Sequence, residues 1–299
     1  MMDERAEDRD EPIAYRQRVR RYYQALGYET PYRWLRYKGV PFSSLIKPLD
    51  ETSVAIVTTA APYDSELGDQ GPGATYNGAA KFFSVYEMSA DGSPDLRISH
   101  VAYDRINTSA EDMACWFPLE ALKRFAEQGV IGKVSEKFYG LPTNRSHRVT
   151  TQVDCPELVR RISHGFIDAV ILVPNCPVCH QSVSVAARQL EASGVPTVVM
   201  GCAKDIVEGV GVPRFLFSDF PLGNSAGKPG DKQSQQHALR LALEMLRSAP
   251  AARTTVQSPQ RWSDSPAWKE DYCNVDALDA DRLQQLRSEF DRQKSIAKS

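Results

Sequence analysis

The sequence predicts an α/β protein: a mostly parallel sheet with helices on both faces and a helical arm at the C-terminal end. Three observations support this. From residue 155 onward, helix-like and strand-like stretches alternate. The strand-like stretches "DAVILVP" (168–174) and "VPTVVMG" (195–201) are continuously apolar, and the links between elements are short. An apolar run without alternation suits a strand covered on both faces, and parallel strands are joined by crossover helices.

Taken in order, residues 1–11 are acidic and polar and read as a disordered tail. A helix over 12–27 opens at Pro12 and closes at Gly27. Residues 28–50 mix aromatics and prolines without a clear period. "SVAIVTTA" (53–60) is rich in β-branched residues and reads as a buried strand. It runs into "APYDSELGDQGPGATYNG" (61–78), a loop with four glycines that could serve as a lid. "LRISHVAYD" (96–104) alternates as a strand does, and "PLEALKRFAEQG" (118–129) is a helix framed by proline and glycine. Residues 130–152 read as a strand or extended loop. Beyond them lie helices in "CPELVRRISHGF" (155–166), "VCHQSVSVAARQLEASG" (178–194), "AKDIVEGVG" (203–211) and 231–249. The two apolar strands and a third in "PRFLFSD" (213–219) fall between these helices. "PAARTTVQSPQRWSDSPAW" (250–268) is irregular, and a polar helix over 276–294 follows it. The expected organisation is a tail over 1–11, an α/β catalytic domain over 12–250, and a linker with a helical arm over 251–299. Such an arm packs back or reaches a neighbouring subunit, so a homodimer is compatible with it.

The 299 residues are 42% hydrophobic and 25% charged with a formal net charge of −2, an ordinary globular balance. That charge argues against a phosphate-backbone partner, and the arginines of "RQRVRRYY" (16–23) read as a solvated helix face, so no nucleic acid is expected. The apolar runs are too short to span a bilayer, so no membrane is expected either. The first twelve residues hold no apolar stretch for a signal peptide, which points to a cytoplasmic protein with reduced thiols. Six cysteines then read as buried residues, metal ligands or catalytic thiols.

Chemistry concentrates in "VILVPNCPVCHQSVSVAARQL", where Cys176 and Cys179 stand at the passage from strand to helix. Ligands of open α/β sheets bind at such strand ends. A helix N-terminus also favours a thiolate, through its unpaired N–H groups and partial positive charge. Four readings fit the pair: a nucleophile with a resolving thiol, half of a zinc site, a c-type haem attachment in Cys176-Pro-Val-Cys179-His180, or buried thiols. A zinc site needs further ligands, for which Cys155, Cys202 or a histidine would have to serve.

Several stretches in order resemble the selenoprotein B family of glycine, sarcosine and betaine reductases, to which D-proline reductase is related. They are "SHVAYD" (99–104), "FPLEALKRFAEQGVIGKVSEKFYG" (117–140), the strand with its C-x-x-C element, "EASGVPTVVMG" (191–201) and "VGVPRFLFSDFPLGNSAG" (210–227). The resemblance covers roughly residues 50 to 245. It implies a nucleophile at the first position of the motif, where the family has selenocysteine and this chain has Cys176. That nucleophile attacks the α carbon of the substrate and expels an amine, and Cys179 resolves the adduct. The family also draws on a pyruvoyl-dependent partner subunit, of which nothing in this sequence gives a sign.

The leading expectation is therefore a thiol-dependent reductase of a small carboxylated substrate, with Cys176 attacking and Cys179 forming a disulfide. An external dithiol, such as a thioredoxin-like protein, would restore the pair. No G-x-G-x-x-G follows a strand, so no bound cofactor is expected, and no metal is assigned. Cys202, His100 and His180 are further catalytic candidates: a second thiol at a strand end, an acid/base, and a charge that holds the thiolate. Asp104, Asn224 and Ser225 are candidates for binding substrate, the last two in the loop "PLGNSAG" (221–227). Two other functions stay open: a cofactor-free lyase, hydrolase or desulfurising enzyme using Cys176 and Cys202, and a metal-binding or redox-sensing protein.

Overall fold

A computed structural model describes residues 11–98 and 102–297 of the chain. Among them the fold is the expected α/β arrangement, a largely parallel sheet flanked by helices and followed by a C-terminal helix. Strands β1 (Ser53–Thr58), β6 (Lys137–Gly140), β7 (Ala169–Val173), β8 (Thr197–Gly201), β9 (Arg214–Phe217) and β10 (Thr254–Gln257) run parallel in the order β10-β9-β8-β7-β1-β6. The short β5 (Lys133–Val134) also pairs with β1, and β3 (Tyr86–Ser89) closes the edge antiparallel to β6. Strand register places Ile56 beside Ile171, Ile171 beside Val198 and Met200 beside Leu216.

The continuous apolar character of these strands follows from coverage on both faces. Ile56, Ile171, Val173, Val198, Met200 and Leu216 belong to one core, against α2 (Leu119–Glu127) and α6 (Lys232–Ser248). Ala55, Val57, Val170, Leu172, Val199 and Phe215 face the other core, under α3 (Cys155–Ser163), α4 (Pro177–Ala192) and α5 (Lys204–Val210). Helix α1 (Tyr15–Ala25) and α7 (Ala280–Ile296) come from opposite ends of the chain and meet. Arg21 bonds Asp276, Tyr28 bonds Asp291, and the Arg287 guanidinium lies over the Tyr28 ring and bonds the Leu26 carbonyl.

Three stretches differ from the sequence reading. Residues 147–154, most of them read as the end of a strand or extended loop, form helical turns that lead into α3. Among the described residues of 96–104, only β4 (Leu96–Arg97) is strand, paired with β2 (Ala61–Pro62). Beyond the undescribed residues 99–101, Asp104 accepts the N–H groups of Ile106 and Asn107 and turns the chain there. Thr254–Gln257, inside the Pro/Ser/Thr-rich stretch, forms the edge strand β10. Its first three side chains are half-buried and Gln257 is exposed, so it lacks the apolar signature of the central strands.

The segment over residues 28–50, which carries no periodic signal, is fixed by tertiary contacts. Glu191 and Arg214 form a buried ion pair, with side chains 0% and 1% exposed. Glu191 accepts the Ser43 N–H, while Arg214 donates to the Ser43 carbonyl and covers the Phe42 ring. Gln181 accepts the Leu35 N–H and donates to the Tyr32 hydroxyl.

Candidate active site

From β1 the chain first builds one side of the sheet, through β6, and then returns to the other side of β1 as β7. The carboxyl ends of β1 and β7 therefore form the point where strand order reverses, the usual ligand crevice of an open α/β sheet. Thr59 leaves β1 there and Asn175 leaves β7, and the Asn175 N–H donates to the Thr59 hydroxyl at 3.2 Å.

Cys176 is the N-cap of α4, in extended backbone conformation, and its Sγ accepts the Cys179 N–H at 3.2 Å. Pro177 takes the first helical position, where its missing N–H is no loss and its fixed φ suits the helix. The spacing C-P-V-C thus places one thiol at the cap and the other one turn inside, over the positive end of the helix. Neither is in a disulfide.

The two thiols occupy different surroundings. Cys179 is fully buried, and its Sγ lies 3.2 Å from the Thr143 hydroxyl. Burial pushes this thiol up, but hydrogen bonds from Cys176, Thr143 and Thr59 and from the Asn175 N–H outweigh it and lower it to about 7. Cys176 is raised well above an ordinary thiol by burial and by the neighbouring sulfur. The pair thus gives up its first proton readily, leaving a thiolate on Cys179 that accepts a hydrogen bond from the Cys176 thiol. Cys176 lines a cavity of about 560 Å³, and Cys179 stands behind it.

Of the other sequence candidates, Asp104 lines this same cavity, with burial raising its carboxyl and the bonds from Asn107 and Ile106 opposing the rise. His180, Cys202, Asn224 and Ser225 do not line it. His180 is buried between two backbone groups. Its Nδ1 meets the Cys176 carbonyl at 2.7 Å and its Nε2 accepts the Cys202 N–H at 2.9 Å. Burial lowers it to about 4, so the ring is neutral and carries no charge with which to hold a thiolate. It instead ties the two strand ends together. Cys202 faces Ser225 Oγ at 3.6 Å and burial pushes it up to about 12. Ser225 donates to the Pro174 carbonyl, and Asn224 donates to the Pro221 carbonyl and meets Thr108. His100 lies outside the described residues.

Sequence reasoning missed much of the site. Thr59 and Thr143 carry no signal apart from following β1 and β6. The Asn175 side-chain amide is fully buried with neither polar atom partnered. Lys81, Arg105 and Arg145 bring positive charge to the cavity, and Tyr22, Tyr23, Tyr32, Tyr76 and Phe290 bring aromatic faces. Cys273 adds a second thiol to the lining, and Phe290 comes from α7, so the C-terminal arm forms part of the wall. These residues are scattered over 270 positions of sequence, and none belongs to a motif. Among the described residues, no three His, Cys, Asp or Glu side chains gather as a metal site. Nor is any described helix long and apolar enough to cross a membrane.

Comparison with known proteins finds a family and several relatives of this chain. The glycine/sarcosine/betaine reductase selenoprotein B family matches residues 20–175, a match that stops one residue before Cys176. The D-proline reductase subunit gamma of Acetoanaerobium sticklandii is 26% identical over 74% of this chain and 89% of its own length. From Peptoclostridium acidaminophilum, the glycine reductase complex component B subunit gamma is 24% identical over 77% of this chain and 53% of its own length. The betaine reductase complex component B subunit beta of the same organism is 25% identical over 69% of this chain and 48% of its own length. The chain thus spans most of the first relative and about half of the other two. No solved structure matches. With over half its length matched, from α1 to the residue before the first cysteine of the motif, this chain belongs to the glycine/sarcosine/betaine reductase selenoprotein B family.

Proposed function

We propose that the chain is a thiol-dependent reductase in which Cys176 attacks the α carbon of a small carboxylated substrate and Cys179 resolves the adduct. The observation that carries this reading is the layered pair: Cys176 faces the cavity, and Cys179, with its lowered pKa, stands behind it in hydrogen-bonding contact. The Cys176 thiol passes its proton to the Cys179 thiolate as its sulfur attacks. A sulfur–carbon bond forms and the bond to the leaving group breaks. Cys179 then attacks the Cys176 sulfur, the sulfur–carbon bond breaks, and the proton held by Cys179 goes to the α carbon. The substrate gains two electrons and the dithiol becomes a disulfide. A dithiol reductant of the thioredoxin kind returns the pair to the reduced state. The relatives are named as subunits of reductase complexes, so we also assign this chain partner subunits.

The test uses 2-bromopropionate with the reduced chain in the absence of other thiols. The expected result is one bromide, one propionate and one Cys176–Cys179 disulfide per turnover. Cys179→Ser should stop at a stable thioether on Cys176. A thioether that persists on the unaltered chain would remove the resolving role of Cys179.

A further inference from the structure

The cavity in front of Cys176 has a composition more specific than the reaction requires. Lys81 and Arg145 both line it, and among the described residues neither forms an ion pair with a carboxylate. Arg145 also holds a left-handed backbone conformation, φ 57°, which is strained for a residue with a β carbon. Its guanidinium rests against the rings of Tyr23 and Phe290, at 5.4 and 5.7 Å from their centroids. Arginine in this setting presents a planar fork suited to a carboxylate. The same positive charge acts on the Cys176 sulfur and favours its thiolate.

The wall also carries the carboxyl groups of Asp104 and Asp271 and the guanidinium groups of Arg105 and Arg282, together with a set of aromatic rings. Tyr76 and Phe290 stack at 6.3 Å, and Tyr22, Tyr23 and Tyr32 line the same cavity. At about 560 Å³ the cavity falls in the range of roughly 300–1,000 Å³ that takes drug-sized ligands, which is more room than a two- to five-carbon amino acid fills. Aromatic walls also bind quaternary ammonium ions. Here the Arg145 guanidinium lies beside the Tyr23 and Phe290 rings, and its charge repels such a cation.

We propose that Arg145, with Lys81, binds the substrate carboxylate, and that the wall formed by Tyr23, Tyr76 and Phe290 takes a large apolar or aromatic group on the same α carbon. Among small carboxylated substrates, the class is then one that carries a bulky group on the α carbon, and not a quaternary-ammonium one. This rests on the reading of Cys176 as the nucleophile.

The experiment measures initial halide release by the reduced chain from four probes: iodoacetate, iodoacetamide, 2-bromopropionate and 2-bromo-3-phenylpropionate. Each rate is normalised to that of a free small thiol, and Cys176→Ser serves as the blank. The sulfur–carbon bond forms and halide leaves, so no other reactant is needed. Iodoacetate should exceed iodoacetamide by about tenfold, as a charge-assisted contact predicts. Arg145→Gln should reduce that preference to within about twofold of the free thiol, and Arg145→Lys should keep most of it. The phenyl-bearing acid should exceed 2-bromopropionate, and Phe290→Ala should abolish that advantage, with circular dichroism showing that the variant is folded. Equal normalised rates in the unaltered chain, or a preference that survives Arg145→Gln, would overturn the proposal while leaving Cys176 as nucleophile. Halide release undiminished in Cys176→Ser would instead overturn the nucleophile itself.

Discussion

Adjacent parallel strands β7 and β8 each lead into a cysteine, and the two cysteines could hardly be placed more differently. Burial does not separate them, since Cys176 is 5% exposed and Cys202 3%. What lies in front of them does. Beside β7 the strand order reverses, the chain beyond β1 leads away, and a cavity remains. Beside β8 comes β9, with no reversal, and the loop after β9 covers Cys202 with Ser225. A helix N-terminus alone therefore does not make a thiol reactive. The topology has to leave room beside it, and a second group has to take its proton.

The largest expected effect is on this contrast itself. Cys176→Ser should lower halide release by about a thousandfold or more, because a hydroxyl in this place is a far weaker nucleophile. Cys202→Ser should leave it within about threefold, because Cys202 acts only as packing in this reading. If Cys202→Ser were as damaging, the two strand ends would have to work together, and the lyase or hydrolase chemistry that uses both thiols would regain its footing.

The next effect concerns the proton. With Cys179 lowered to about 7, the pair holds both protons below that pH and a thiolate above it. Alkylation of Cys176 should rise about tenfold per pH unit below about 7 and level off above it. Cys179→Ser removes the neighbouring base, and the midpoint should move upward toward an ordinary thiol. A profile unchanged by this substitution would mean that the helix end, not Cys179, governs the attack.

How far this was legible in the sequence depended on whether the signal was local. The second half of the sheet declares itself, because strands such as Ala169–Val173 are buried on both faces and must be apolar throughout. The C-x-x-C pair is equally local, since the cap geometry of Cys176, Pro177 and Cys179 is set within one turn. The cavity is not local. Tyr23 on α1, Lys81 and Arg145 on loops, and Phe290 on α7 meet only after the two ends of the chain have packed together. For the same reason residues 28–50 gave no reading, their course being set by Gln181, Glu191 and Arg214, more than a hundred positions away. The loop "PLGNSAG" misled in a different way. Its Asn224 and Ser225 have the chemistry of a binding loop, but their polar groups are engaged with Pro221, Thr108 and Pro174.

His180 is the bridge between the two cysteine turns, and it sharpens the comparison through stability. Burial lowers it from the ordinary histidine value of 6.5 to about 4. Between those values the unfolded chain takes up a proton that the folded chain refuses, so stability falls as pH drops through this window, by about 3 kcal/mol in all. His180→Gln cannot titrate and should flatten that part of the profile in denaturant unfolding measured from pH 7 down to 4. A profile as steep as before would show that the ring is not held neutral between Cys176 and Cys202.

The smallest effect is expected at Ser225. Its hydroxyl donates to the Pro174 carbonyl at 2.9 Å and lies 3.6 Å from the Cys202 sulfur. Ser225→Ala leaves that carbonyl without this donor and should cost about 1 kcal/mol of stability. Halide release at Cys176 should not change, since Pro174 belongs to the strand exit and Ser225 does not line the cavity. Cys202 should also remain unlabelled under native conditions, because it lies in the same buried core as Phe220 and Leu222. If Cys202 became as reactive as Cys176 in this variant, the hydroxyl alone would have been its guard, and the difference between the strand ends would rest on one side chain instead of on the order of the strands.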